Sequence, residues 1–392
     1  MCQQPPQENK RRAAEICIRA DGNEKIATGH LVRCLTIGAA LKARGAAVCF
    51  LVADETSERL LRTFAAAYAP LAPDRIVVLH SRYDDLDGEI ELLKKLLTEE
   101  LSPLRPDFFL VDSYFATKRY LSFLQSRVPT GYLDDLLRFD PPVSLVVNYD
   151  VLVPEGFYSA PRILLLGPAY APLRPQFARV PYLVRPRAAR LLLSTGGSDP
   201  LGAALSLVRR FAVDSVLRAM EWDVVVGALH PDKKELRALT KRCPQLHLHE
   251  NVSDMAALMR ACDLAVTAGG TTLYELCAVG VPSVVYSMAD NQVAEAEAFA
   301  RAGVGFYEGD IRGAANAGSS GLPADDAGSV SAVPSRSVHD VYGRITARLR
   351  ALADDLPLRQ EQSARMRALV DGEGAGRIAE GVLDVCGEVK LL

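Results

Sequence analysis

No stretch of the chain is apolar for long enough to span a bilayer, and its opening, Met1 to Arg12, is polar and charged without the apolar core of a secretory leader. Membrane insertion and export are therefore not expected, and a cytoplasmic setting is. Cysteine occurs eight times (Cys2, Cys17, Cys34, Cys49, Cys243, Cys262, Cys277, Cys386) but never as C-x-x-C, and several copies fall inside apolar runs. They read as reduced core residues rather than disulfides or zinc ligands. His230, His247 and His249 have no cysteines at zinc spacing and receive no role. Charge of one sign is also lacking. Lys and Arg number 45 against 48 Asp and Glu, a net of −3, which gives no footing for nucleic acid.

What is present is apolar residues enough (49%) over 392 positions to build two ordinary cores. Short apolar runs alternate with helical segments along most of the chain, which predicts an α/β protein with mostly parallel sheets in two Rossmann-like lobes. The expected organisation is a disordered tail over 1–12, a first lobe over 13–178 and a second over 186–392. The proline-punctuated stretch Gly167 to Phe177 marks the boundary. Gly313 to Ser335, rich in Gly, Ala, Ser, Pro and Asp, is expected to be a mobile insertion.

Three glycine-bearing connections carry the candidate chemistry. After the run Glu15 to Ala20, a long loop from Asp21 leads to Gly29-His30 and a helix to about Arg44, with Arg33 on the same face as His30. A helix N-terminus disfavours a charged imidazole, so His30 can accept a proton as a general base; the plainer alternative is a surface residue capping the helix. After Asp263 to Thr267, Gly269-Gly270 precede a helix that Thr271 or Thr272 can cap. Glu275 either completes a T-x-x-E capping box or accepts hydrogen bonds from two ribose hydroxyls. After Leu191 to Ser194, Thr195-Gly196-Gly197-Ser198-Asp199-Pro200 forms a turn whose backbone N–H groups can face the same phosphates. Asp85 and Asp87 have D-x-D spacing but lie where a helix starts, so they read as first-turn acids and no metal is assigned.

Arg19-Ala20-Asp21, Gly29-His30 with Arg33, Asp112-Ser113-Tyr114, Asp134-Asp135-Leu136, Gly167-Pro168-Ala169-Tyr170 with Leu173-Arg174 and Phe177, Gly196-Gly197-Ser198-Asp199, Gly269-Gly270-Thr271-Thr272 with Glu275, and Asn291-Gln292 occur in that order. Together, over roughly 16–306, the set resembles the UDP-sugar hydrolase family of pseudaminic acid biosynthesis, itself related to GT-B glycosyltransferases of the peptidoglycan type. The resemblance implies a GT-B-like fold, two lobes with parallel sheets facing a central cleft, and UDP held mainly by the second. It implies cofactor-free, metal-independent release of UDP from a UDP-2,4-diacetamido-2,4,6-trideoxyhexose with inversion at the anomeric carbon. His30 then falls on the essential histidine and Tyr114 on a tyrosine near the sugar, with Glu275 on the ribose-binding glutamate and Asn291 and Gln292 on a pair facing sugar and diphosphate. Arg19, Asp21, Gly29, Arg33, Gly197, Ser198, Gly269, Gly270, Thr271 and Thr272 complete the substrate-binding candidates. Ser113 stands where members of the family can have histidine, and the 313–335 insertion and longer C-terminus lie outside the shared pattern.

Three functions follow for test: a hydrolase, a GT-B glycosyltransferase using the same UDP-sugar, and a non-catalytic UDP-sugar-binding protein. The small-molecule UDP-sugar is the partner in each. The sequence leaves the oligomeric state open and favours a monomer.

Overall fold

The computed structural model describes residues 12–26, 28–67, 72–98, 104–196, 199–227, 230–250, 252–312 and 340–389. The tail expected over 1–12 falls outside these residues except for Arg12, and the expected insertion at 313–335 falls outside them altogether. The chain divides into two compact units: residues 1–149, 153–166 and 375–392, and residues 150–152 and 167–374.

In the first unit seven strands, β1 (Glu15–Ala20), β2 (Ala47–Val52), β3 (Arg75–Val78), β4 (Phe108–Asp112), β5 (Thr130–Leu133), β6 (Leu145–Asn148) and β7 (Ile163–Leu166), form one parallel sheet in the order β3-β2-β1-β4-β5-β6-β7. Helices α1 (Gly29–Lys42), α2 (Glu55–Ala67), α3 (Ile90–Thr98) and α4 (Lys118–Gln125) connect them. The central strands are mostly apolar, Phe108 to Val111 being wholly buried, because helices cover both faces of a parallel sheet. The C-terminal helix also packs here. The Cβ of a residue at Gly381 would lie 3.0 Å from Leu165, and the Cys386 thiol points at the Asp107 carbonyl.

The second unit repeats the plan with β8 (Arg190–Ser194), β9 (Glu221–Val226), β10 (Leu246–Glu250), β11 (Leu264–Ala268), β12 (Ser283–Ser287) and β13 (Phe306–Asp310) in the parallel order β10-β9-β8-β11-β12-β13. Its helices are α5 (Ala203–Val213), α6 (Lys233–Thr240), α7 (Met255–Ala261), α8 (Thr271–Val279), α9 (Asp290–Arg301), α10 (Val341–Asp354) and α11 (Leu356–Leu369); α12 (Gly374–Val389) is the C-terminal helix just described. The core gathers around Trp222, fully buried, whose indole N–H donates to the Leu217 carbonyl at 2.8 Å, so the large ring is buried with its polar atom satisfied. Asp254 caps α7 by accepting from the Ala257 N–H.

In each sheet the strand order reverses beside the first strand, between β1 and β4 and between β8 and β11. Loops leaving neighbouring strands in opposite directions open a crevice at the carboxyl ends, where α/β sheets bind ligands. The cysteine reading meets a direct observation: Cys17, Cys34, Cys49, Cys262, Cys277 and Cys386 are free and buried, and Cys243 is free and half-buried. Among the described residues no helix is long and apolar enough to cross a membrane.

Candidate active site

At the first crevice the loop after β1 delivers His30 to the first turn of α1, and β4 ends on Asp112. No side chain caps α1. The imidazole turns instead toward Asp112, with Nδ1 2.6 Å from Oδ1. Arg33, one turn further along α1, donates from Nε to Asp112 Oδ2 at 2.6 Å and from Nη2 to Oδ1 at 2.5 Å. Its Nη1 reaches Asp135 Oδ2 at 2.8 Å and the Tyr149 hydroxyl oxygen.

This geometry fixes the tautomer. Burial alone would raise the Asp112 carboxyl, but Arg33 and His30 beside it hold it well below the usual carboxylate range. Asp112 is therefore an anion that only accepts, and a 2.6 Å contact with Nδ1 requires the proton on Nδ1. Arg33 Nη2 lies 3.1 Å from the same nitrogen because both groups converge on one oxygen; it cannot donate to a nitrogen that already carries hydrogen. The lone pair sits on Nε2, to which no described residue is hydrogen-bonded. Tyr114 meets the ring edge-on, centroids 4.4 Å apart, and holds its plane.

Arg19 and Asp21 lie deeper in the same unit. Arg19 is fully buried, donating to Glu89 through Nε (3.0 Å) and Nη2 (2.6 Å) and to Asp21 through Nη1 (2.5 Å). Asp21 also accepts from the Ala53 N–H, and Glu89 from Ser81 and Tyr120. Gly29 opens α1 with nothing near the place a side chain would take. Asp85 accepts from the Gly88 N–H within the turn that begins the α3 segment, and Asp87 accepts from the hydroxyl of Thr117, the cap residue of α4.

At the second crevice Gly269 and Gly270 end β11 and open α8. Gly270 has φ +129°, which side chains rarely adopt, and a Cβ at Gly269 would come within 2.9 Å of Gln292. These glycines let α9 and the turn approach closely. Of the two alternatives for Glu275, the T-x-x-E capping box with Thr272 is not formed: Gly270 is the cap residue, no side chain caps α8, and Thr271 and Thr272 both lie within the helix. The reason is that the glycine backbone starts the helix two residues early, which leaves Glu275 in its second turn. Glu275 accepts from Arg174 at 3.0 Å with both side chains slightly exposed (15% and 13%), and burial raises its carboxyl while Arg174 opposes the rise. Arg174 also lies over the Phe177 ring. Gln292 accepts from the Met288 N–H. Gly196 has φ +79° after β8; Gly197, Ser198 and the Asn291 side chain lie outside the described residues.

Sequence reasoning did not name Asp112, Asp135, Tyr149 and Arg174 as site residues. A usable signal existed for Asp112, an acid at the carboxyl end of a strand in the lobe that carries His30. Knowing that β4 lies beside β1 turns that position into a partner.

Comparisons with known proteins bear on this arrangement. No family model matches the chain. It is 25% identical over 384 residues to the spore coat polysaccharide biosynthesis protein SpsG of Bacillus subtilis (strain 168), covering 94% of this chain and 98% of that protein. Over 139 residues it is 32% identical to the UDP-N-acetylglucosamine--N-acetylmuramyl-(pentapeptide) pyrophosphoryl-undecaprenol N-acetylglucosamine transferase of Sorangium cellulosum (strain So ce56), covering 33% of this chain and 34% of that enzyme. Among solved structures it is similar to CalG4, the calicheamicin glycosyltransferase, with a TM-score of 0.60 at 17% identity, covering 96% of this chain and 99% of that one. The fold is thus the two-unit α/β fold of GT-B glycosyltransferases, and the chain is glycosyltransferase-like in architecture.

Proposed function

We propose that this chain is a UDP-sugar-dependent enzyme that breaks the anomeric C–O bond by attack of a hydroxyl activated by His30. The single observation that supports it best is the His30–Asp112 contact of 2.6 Å, which leaves a basic, unengaged Nε2 at a sheet crevice. Nε2 takes the proton of the attacking hydroxyl as its oxygen bonds to the anomeric carbon, and the sugar–diphosphate bond breaks with its electrons passing to UDP. In the second unit, the uncapped N-terminus of α8 and the Gly269-Gly270 turn are suited to bind a phosphate group. Glu275 is suited to the ribose hydroxyls, and Tyr114 to the sugar.

Transfer to an acceptor hydroxyl is the leading reading, since the relatives' names and the fold describe transferases and polysaccharide assembly. Water as the attacking hydroxyl, giving a hydrolase of a 2,4-diacetamido-2,4,6-trideoxy sugar nucleotide, is the second reading; the ordered motif set from Arg19 to Gln292 favours it. Incubating the protein with UDP-sugars and following free UDP separates them. Release only when an acceptor is added supports transfer, and rapid release in buffer supports hydrolysis. Binding of UDP without release under either condition removes both.

A further inference from the structure

The base in this crevice has a charge problem. Arg33 spends two hydrogen bonds on Asp112 and stands 3.1 Å from the imidazole nitrogen that Asp112 serves. A carboxylate paired with histidine ordinarily stabilises the imidazolium formed when the base accepts a proton. Here the guanidinium cancels that carboxylate. With Asp112 and Arg33 alone, a proton arriving on Nε2 would meet a neutral pair whose positive end is close to the ring.

A second carboxylate alters the sum. Asp135, at the end of β5, the strand next to β4, binds the far side of the same guanidinium at 2.8 Å. With both carboxylates ionised the three groups carry one net negative charge; with Asp135 neutral they carry none. The groups joined to the imidazole directly or through Arg33 and Asp112 can be named element by element. They are Arg33 and the Cys34 thiol on α1, Asp112 and Tyr114 at and after the end of β4, Asp135 after β5 and Tyr149 after β6. Cys34 donates to Asp112 and is pushed up by burial, so it stays a thiol, and burial likewise keeps the Tyr149 phenol protonated. Arg33 and the two aspartates are therefore the charges that count.

The geometry points to Asp135 as a positioning residue for the His30 base: its carboxylate turns the Arg33 guanidinium onto Asp112 and supplies the negative charge that Arg33 removes from the His30–Asp112 pair. Burial raises the Asp135 carboxyl, Arg33 opposes this and Asp112 adds to it, so the charge of the relay is set at a side chain that is partly open to solvent (21%). The inference rests on His30 acting as the base.

Asp135→Asn tests it, because the amide oxygen can still accept from Arg33 while the charge is gone. The acidic limb of kcat/KM for UDP release is expected to move down by about one pH unit, the order of shift that one nearby charge produces. Asp135→Glu is expected to return the limb toward its wild-type place. Tyr149→Phe, which removes another partner of the same guanidinium without altering charge, is expected to leave it in place. The imidazole signals of the ligand-free protein, assigned with His30→Gln and followed by NMR across pH, report the same displacement without any turnover. That separates this inference from the proposed reaction: a protein that releases no UDP still gives the NMR answer. A folded Asp135→Asn protein in which the His30 signals titrate as in wild type overturns it, and so does a uniform fall in rate with the limb unmoved. Should the Asn variant not fold, Asp135→Ser carries the same expectation and the same overturning result.

Discussion

The first unit holds two buried arginine clusters that look alike in composition and differ in what they leave over. Around Arg19, the carboxylates of Asp21 and Glu89 are taken up by the guanidinium, the Ala53 N–H, Ser81 and Tyr120, and the cluster is closed. Around Arg33, two carboxylates hold the guanidinium equally well, yet one of them also holds an imidazole whose second nitrogen is bonded to no described residue. A buried charge is costly unless paired, so both clusters must be complete as ion pairs. Completeness in charge is common to structure and to chemistry. An unengaged basic atom at a sheet crevice belongs only to the second.

The largest expected effect breaks the comparison at that atom. His30→Gln can still bond Asp112 through its amide but cannot take a proton near neutral pH, so UDP release should fall by about 10²–10⁴-fold, the usual worth of general-base help. UDP affinity by calorimetry and the thermal midpoint should stay near wild type. Release at a comparable rate would remove the base role, with Tyr114 the next residue to test.

Much of this molecule could be read along the chain. Strands buried on both faces stand out as apolar runs: the run Glu15 to Ala20 read along the chain is β1 residue for residue, and the alternation with helices predicted parallel sheets. Elements without that signature were not. β13 reads Phe-Tyr-Glu-Gly-Asp because it is an edge strand, half-buried throughout, and α4 has only eight residues. β7, just ahead of the proline-punctuated stretch, is the seventh strand only through its pairing with β6, since membership in a sheet is a property of its neighbours. The site divides in the same way. His30 and Glu275 lie beside glycine turns, a local pattern. Asp112 is 82 positions from His30 and Asp135 is 102 from Arg33, and only strand order brings them together.

The next effect breaks the closed cluster. Glu89→Gln leaves Arg19 with one charged partner in a fully buried place, and losing one side of a buried pair costs about 3–5 kcal/mol. Chemical denaturation should show that loss, while UDP release per folded molecule stays close to wild type. Lost turnover at unchanged stability would place the Arg19 cluster within the chemistry. Asp112→Asn in the open cluster should show both losses, with a pH signature. The Asp112 carboxyl is depressed in the folded protein, so its stabilisation is present above its unfolded value of about 3.9 and is lost as pH falls through the folded one. The stability gap between wild type and Asp112→Asn should therefore be widest near neutral pH and narrow below about pH 4.

The smallest effect sharpens the comparison with a third arginine–carboxylate contact, in the second unit. Arg174 and Glu275 are paired at 3.0 Å but slightly open, so Glu275 resembles the Arg33 cluster in having acceptor capacity that one guanidinium bond does not exhaust. Because Gly270 starts α8 without any side-chain cap, Glu275→Gln removes no cap, and the thermal midpoint should change little. UDP affinity should weaken by about tenfold, the lower end of what a hydrogen bond to a charged group contributes. The pH dependence follows from burial, which raises the Glu275 carboxyl against the opposing pull of Arg174. As pH rises through that raised value the carboxylate forms and can accept from both ribose hydroxyls, so wild-type affinity for UDP should strengthen upward from the acidic side while that of the Gln variant stays flat. Calorimetric titrations of the two proteins at several pH values decide the point. Equal affinities at every pH would leave Glu275 with Arg174 as its sole partner in function, and the ribose would need another acceptor.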